Sequence, residues 1–229
     1  MERNIIKMSV KIIDLGLIDY KEAWNLQLEL IEKRYRKNIS DVLILAQHPD
    51  VITLGRRGKI EEIKIKQFPV YNIERGGKST YHGPGQIIGY PIIDLNEKNI
   101  TVSQLVENLE EIIIRTLEKF NINSNTVKGK PGVWVDNKKI SSIGLAIKKW
   151  ISYHGFALNV DVDLTKFNSL SPCGMDSNIM TSMERLYSKE ISHEEVKKHL
   201  IENFKEIFDY KVIDYEDLIS SHNLQYQKH

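Results

Sequence analysis

Between residues 133 and 160, three strand-like runs (133–136, 140–150 and 152–160) follow one another with no helical segment between them. Parallel neighbours need a crossover of a dozen residues or more, so runs this close pair as antiparallel strands. Asp136-Asn137-Lys138 supplies a hairpin turn between the first two. Further strand-like runs lie at 10–15, 41–46, 51–54, 70–73 and 86–95. Three amphipathic segments are expected as helices. The first follows Asp19, with Glu22 placed for a capping box and Trp24, Leu28, Ile31 and Tyr35 on one stripe. The second starts near Thr101 and carries Val102, Leu105, Val106, Leu109, Ile112, Ile113 and Leu117 at helical spacing. The third is capped by Ser192 with Glu195 and presents Val196, Leu200, Phe204 and Ile207. Many strands with a few long helices imply an α+β fold, a mixed and largely antiparallel sheet flanked by helices, rather than a doubly wound sheet. No linker rich in Pro, Gly or Ser interrupts the 229 residues. One domain over 1–229 is therefore expected, with about 210–229 as a C-terminal flank.

The 32 basic and 31 acidic side chains leave a net charge of +1, which gives no global attraction to nucleic acid. No apolar stretch approaches the ~20 residues that a membrane helix needs, and the first residues lack the apolar run of a signal peptide. A single unpaired cysteine fits a reducing, cytoplasmic setting.

That cysteine, Cys173, sits in Ser171-Pro172-Cys173-Gly174, between a residue that fixes φ and one that frees it. Such a turn can present a thiol to a pocket; the alternative is a small buried hydrophobe. The densest glycine cluster runs Arg75-Gly76-Gly77-Lys78-Ser79-Thr80-Tyr81-His82-Gly83-Pro84-Gly85-Gln86. It matches neither a Walker loop nor a dinucleotide fingerprint. Its glycines nonetheless let the backbone approach a ligand and aim several N–H groups at one point, the alternative being an ordinary turn between strands. In the run 138–144, strand alternation puts Lys139, Ser141 and Ile143 on one face. If that face turns inward, Lys139 is partly desolvated and binds its proton less tightly; an exposed hairpin lysine would not be affected. In Tyr153-His154-Gly155-Phe156-Ala157, Gly155 and Ala157 would leave room for a ligand on one strand face. The seven histidines include no metal-type pair and Cys173 has no CxxC companion, so no metal site is expected.

Taken in order, His48-Pro49, Thr53-Leu54-Gly55-Arg56, Arg75-Gly76-Gly77, the Thr80 to Gln86 block, Gly132-Val133-Trp134, Lys139-Ile140 with Ile143-Gly144, His154-Gly155, Ala157-Leu158-Asn159 and Pro172-Cys173-Gly174 form a specific series. In this series the chain resembles the octanoyltransferases of lipoate biosynthesis, within the lipoate- and biotin-protein ligase superfamily, over about residues 43–183. The resemblance implies a lipoate/biotin-protein ligase-like fold and a single catalytic domain. It implies Cys173 as acyl-thioester nucleophile with Lys139 assisting, His82 being a competing candidate for the base. It assigns substrate binding to Arg75, Gly76, Gly77, Lys78, Ser79, Thr80, Tyr81 and His82, to Ser142, Ile143 and Gly144, and to Gly155, Phe156 and Ala157. The implied donor is octanoyl-acyl carrier protein. The implied acceptors are lipoyl domains of 2-oxoacid dehydrogenase E2 subunits and glycine cleavage H protein. Neither ATP nor a metal is required, and the implied enzyme is a monomer with no nucleic-acid or membrane partner.

Gln47 and Asp50 stand where glutamate and proline are expected, and Ser141-Ser142 where alanines are frequent; these departures bear on acyl-chain fit rather than on the reaction. Arg56-Arg57, Lys128, Lys130, Lys138 and Lys148-Lys149 form a candidate basic rim for acidic protein partners, against a merely solvated surface of mixed charge. Three alternatives stand beside this reading: an ATP-dependent lipoate–protein ligase, an amidotransferase moving acyl groups between proteins, and a non-catalytic acyl-binding or redox-sensing module.

Overall fold

The computed structural model describes residues 9–64, 67–169, 179–187 and 190–217. Its larger sheet contains β1 (Ser9–Leu17), β2 (Asp41–Gln47), β6 (Gln86–Ile92), β7 (Asn125–Thr126), β8 (Gly132–Val135), β9 (Lys138–Lys148), β10 (Ile151–Asn159) and β11 (Val212–Asp217). These eight strands lie in the order β11-β1-β2-β6-β10-β9-β8-β7. β1 pairs in parallel with both β11 and β2, and every other pair in this sheet is antiparallel. The expected mixed, largely antiparallel α+β architecture is therefore what forms. A three-stranded sheet of β3 (Val51–Leu54), β4 (Val70–Asn72) and β5 (Ser79–His82) has the order β4-β3-β5.

β2 explains why the central strands read as unbroken apolar runs. Leu43 and Leu45 join the core beneath α3 (Val102–Glu118) and α5 (His193–Ile207), the latter preceded by the short α4 (Met183–Leu186), while Val42, Ile44 and Ala46 face α1 (Tyr20–Tyr35) on the other side. With both faces covered, alternation disappears. The expected caps form at Asp19, whose carboxylate accepts from the Lys21 and Glu22 N–H groups, and at Ser192, which accepts from Glu195, while the reciprocal capping box expected with Glu22 is found instead between Thr101 and Gln104. The run expected as strand to 95 stops earlier. Asp94 caps a short helix, α2 (Leu95–Lys98), by accepting from Glu97 N–H at 3.1 Å. The segment 212–217, expected within a flank, pairs with β1 and extends the larger sheet. No helix among the described residues is long and apolar enough to cross a membrane.

The buried stripe of α1 differs from the expected one. Tyr35 is exposed, and the inward face carries Tyr20, Ala23, Gln27, Leu30, Ile31 and Arg34. Two polar side chains turn inward because each has a partner. Gln27 Oε1 accepts the His154 N–H at 2.8 Å, and Arg34 binds Asp41 at 2.8 Å and Glu97 at 2.7 Å. Asp41 also accepts from Tyr210 Oη at 2.7 Å, tying the segment after α5 to the sheet. Arg34 is only 2% exposed. Its replacement by Met is expected to destabilise the fold by about 3–5 kcal/mol, because it removes the cation paired with the buried Asp41 carboxylate; denaturant unfolding monitored by circular dichroism measures the loss.

Candidate active site

A cavity of about 150 Å³ lies where β5 of the small sheet faces β6, β9 and β10 of the large one. Its wall is made by Arg75, Gly76, Gly77, Lys78, Ser79, Thr80 and His82, by Ser142, Ile143 and Gly144, and by Gly155, Phe156 and Ala157, with Tyr20, Ile88, Tyr90, Lys139 and His154. Segments far apart in the chain, singled out from the sequence, thus converge on one space. Tyr81 is the exception. It packs with Ile52, Leu54 and Phe167, away from the cavity, and its hydroxyl donates to Asp50 Oδ1 at 2.7 Å. A second cavity of about 520 Å³ adjoins the first, sharing residues 76–80, Lys139 and residues 142–144. It continues past Val102, Val106, Trp134, Phe167, Ile179 and Met180, with Arg57 and Lys130 also on its wall.

Close packing of backbone on backbone builds the turn. The Gly76 N–H donates to Leu145 O at 2.9 Å, and a Cβ on Gly144 would sit 3.3 Å from Gly76 O. Arg75 is held by Thr53, whose carbonyl and hydroxyl both accept from Nη2 at 2.9 Å, and by Gly76 O at 3.0 Å. No carboxylate pairs with it among the described residues. Burial lowers its proton affinity to about 10, so it stays a cation at neutral pH. Gly155 does not open room for a ligand as alternation suggested. A Cβ there would lie 2.0 Å from Gly89 O, so the missing side chain admits the neighbouring strand.

Three buried histidines surround this floor. His48 Nε2 meets Tyr90 Oη at 2.7 Å and its Nδ1 meets Ile18 O at 2.8 Å. His82 Nδ1 meets Gln86 Oε1 at 3.0 Å, and its ring stacks 6.2 Å from that of Tyr20. Both ring nitrogens of His154 are buried without a hydrogen-bond partner. Desolvation is the main reason that all three bind protons weakly, with pKa values of about 4 for His48 and about 3 for His82 and His154. All are neutral imidazoles at physiological pH.

Lys139 lies on the wall of both cavities, its Nζ 2.8 Å from Pro131 O and 5.1 Å from the centre of the Trp134 ring. Burial lowers its pKa to about 8; Glu110 opposes the fall and Lys130 adds to it. The expected partner on its strand face, Ser141, is replaced by Ser142. A register shift between Val133 and Trp134 marks a bulge in the β8–β9 pair, and an extra residue re-aims the side chains beyond it. Ser141 instead donates to Ala157 O at 2.9 Å.

Cys173 lies outside the described residues. The described chain on either side of it reaches the larger cavity at Phe167 and at Ile179 and Met180. Thr181 N–H donates to Lys139 O at 3.0 Å, which brings the returning segment alongside β9. Gln47 and Asp50 line neither cavity. Gln47 accepts from Gly85 N–H at 3.0 Å, and Asp50 holds Tyr81 and Lys166. Of the expected basic rim, Arg57 and Lys130 border the larger cavity, whereas Lys148 and Lys149 pair with Glu32 of α1. Sequence reasoning missed Tyr20, Tyr90 and Trp134 as wall residues. Val102 and Val106, expected at helical spacing with the rest of their apolar stripe, wall the larger cavity, and Val102 is 39% exposed at the open edge of that stripe.

The chain belongs to the lipoyl protein ligase A/B catalytic domain family, whose model matches residues 19–205. Among curated relatives, the octanoyltransferase of Alkaliphilus metalliredigens is 42% identical over 215 residues, covering 90% of this chain and 99% of that one. The octanoyltransferase of Caldanaerobacter subterraneus is 40% identical over 209 residues, 88% and 91% of the two chains. Among solved structures, a bi-partite lipoate protein ligase from Thermoplasma acidophilum matches with a TM-score of 0.70 at 17% identity, over 92% of this chain and 86% of that one. The biotin protein ligase of Aquifex aeolicus in complex with biotin and ATP matches with a TM-score of 0.54 at 16% identity, over 86% and 70%. These likenesses place the fold with the lipoate and biotin ligases.

Proposed function

We propose that this chain carries an octanoyl group from a thioester donor to lysines of lipoyl-dependent proteins, a step of lipoate biosynthesis, through an acyl thioester on Cys173. The carrying observation is the amine of Lys139. It stands in a cavity wall with its pKa lowered to about 8, and the described chain on both sides of Cys173 borders the same space. Relatives named octanoyltransferase, aligned over nearly their whole length, support the reaction class.

The chemistry balances without a further reactant. Neutral Lys139 takes the Cys173 proton; the thiolate attacks the donor carbonyl, and the leaving thiolate of the carrier receives that proton. The acceptor amine then attacks the acyl-enzyme, Lys139 takes the proton released from nitrogen, and Cys173 departs as thiolate to be reprotonated. Exchange of one thioester for another is nearly isoenergetic and amide formation runs downhill, so neither ATP nor a metal is needed. An ordinary thiol, with pKa near ~8.5, is only slightly ionised at neutral pH, and a nearby ammonium raises the reactive fraction. Lys139 is the better base of the two candidates. General bases work best with a pKa near the working pH, and His82, at about 3, is far below it. The apolar side of the larger cavity, at Val102, Val106, Trp134, Phe167, Ile179 and Met180, suits an alkyl chain, each buried methylene contributing about 0.8 kcal/mol. Arg57, Lys78 and Lys130 supply cations that would steer an acidic acyl carrier protein. The acceptors we assign are lipoyl domains of E2 subunits and glycine cleavage H protein.

A second reading is favoured by the fold neighbours, among them lipoate-protein ligase A bound with ATP, with a TM-score of 0.67. Intact-mass measurement separates the two. Octanoyl-acyl carrier protein without ATP is expected to add one octanoyl mass to the enzyme, followed by transfer to a lipoyl domain. Product formed only from free octanoate and ATP, with pyrophosphate release, would establish the ligase instead.

A further inference from the structure

The inward face of α3 is apolar at Leu105, Leu109, Ile112, Ile113 and Leu117, yet it also turns a carboxylate inward at Glu110, which is 9% exposed. A buried carboxylate is costly unless something uses its charge. Its neighbour is the single peptide unit joining Pro131 to Gly132. The N–H of that peptide donates to Glu110 Oε1 at 2.9 Å, and its carbonyl oxygen accepts from Lys139 Nζ at 2.8 Å. The peptide is trans, so its N–H and C=O point in opposite directions within one plane, toward the carboxylate at one edge and the amine at the other. Gly132 makes the arrangement possible. Its φ is +124°, and a Cβ there would lie 2.2 Å from Ser141 O and 3.1 Å from Lys139 Cε. Only a residue without a side chain lets this peptide press against the lysine head group.

We propose that Glu110 is a positioning residue for Lys139, acting through the Pro131–Gly132 peptide. The proposal rests on Lys139 being the working amine of the cavity. The carboxylate anchors the peptide's N–H and polarises the unit, which strengthens its carbonyl as an acceptor and fixes where the ammonium sits. It also supplies negative charge that favours the protonated amine, offsetting part of the effect of burial. Among the described residues, the charged groups around Lys139 are Glu110 on α3 with Glu107 one turn before it, Lys130 ahead of β8, and Lys78 across the cavity wall. Glu110 is thus the nearby carboxylate that holds Lys139 up against desolvation and the repulsion of Lys130.

Glu110→Gln keeps the shape and the oxygen acceptor for Gly132 while removing the charge. Competitive chemical labelling of lysine amines across pH, read peptide by peptide by mass spectrometry, follows Lys139 directly. The Lys139 midpoint is expected to fall by about half a pH unit or more, roughly a threefold gain in the neutral fraction below the midpoint, with an unchanged melting curve. Should the Gln variant not fold, Glu110→Met fills the same buried volume and is expected to shift the midpoint in the same direction. A Lys139 curve that coincides with wild type in the folded variant overturns the proposal. The labelling needs no acyl donor. A missing acyl-enzyme would count against octanoyl transfer and leave this result standing, while an unmoved midpoint beside normal transfer would count against Glu110 alone.

Discussion

Cys173→Ala is expected to yield a folded protein that takes up no octanoyl mass from an octanoyl thioester and whose transfer rate falls by about 10⁴- to 10⁶-fold, the scale lost when a covalent nucleophile is deleted. The size follows from what is removed. Without the thiolate there is no acyl-enzyme, and the acceptor amine must attack the carrier thioester directly, across two bulky proteins and without the split into two easier steps. The cavity and its cations are untouched by the substitution, so donor binding is expected to survive, and a loss of rate with donor affinity retained is the diagnostic pattern. Intact mass after donor incubation and transfer to a lipoyl domain are the two measurements. A Cys173→Ala protein that still acquires an octanoyl group, or still transfers at a wild-type rate, would remove Cys173 as the nucleophile. Octanoyl transfer would then need another nucleophile from the cavity wall.

How much of this was legible in the sequence depends on whether a feature is local. Helix starts were legible because an N-cap needs only a few consecutive residues, as at Asp19, Thr101 and Ser192. The antiparallel β8-β9-β10 unit was legible because its connections are too short for any other pairing. The glycine turn was recognisable because its residues occupy one stretch, and Arg75 to Thr80 with His82 do face the cavity, whereas Tyr81 leans into a separate apolar cluster. The stripe of α1 misled because burial there is decided by partners distant in sequence: Gln27 by the His154 N–H, Arg34 by Asp41 and Glu97. The face of β9 misled for a different reason. One extra residue in a strand reverses the alternation, and nothing in Lys138-Lys139-Ile140-Ser141-Ser142 announces a bulge. Tyr20 and Trp134 carry no local sign that they wall a cavity, since only the packing of α1 and β8 against remote strands brings them there.

Lys139→Met is expected to lower transfer by about 10²- to 10⁴-fold, the range for loss of a general acid–base group, while the methionine keeps most of the packing against Trp134 and Gly132. The pH dependence makes the assignment testable. In the wild-type protein the amine is mostly ammonium below pH about 8 and neutral above it, so a rate limited by proton uptake at Lys139 rises as pH passes through that value. His48, with a pKa of about 4, and His82 and His154, at about 3, are mostly neutral by pH 5, so none is centred between pH 5 and 7, the interval where an ordinary histidine would titrate. A single ascending limb centred near 8, with no inflection near 6.5, is the expected wild-type profile. On the proposed pairing of Lys139 with Cys173, the Lys139→Met substitution removes a cation from the thiol, and alkylation of Cys173 by iodoacetamide at neutral pH is expected to slow because less of it is thiolate. Unchanged alkylation would take the amine out of thiol activation and leave it a role in the second, amide-forming step. An inflection near 6.5 that vanished in His82→Gln but persisted in Lys139→Met would move the base to the histidine, against the weak basicity that its burial imposes.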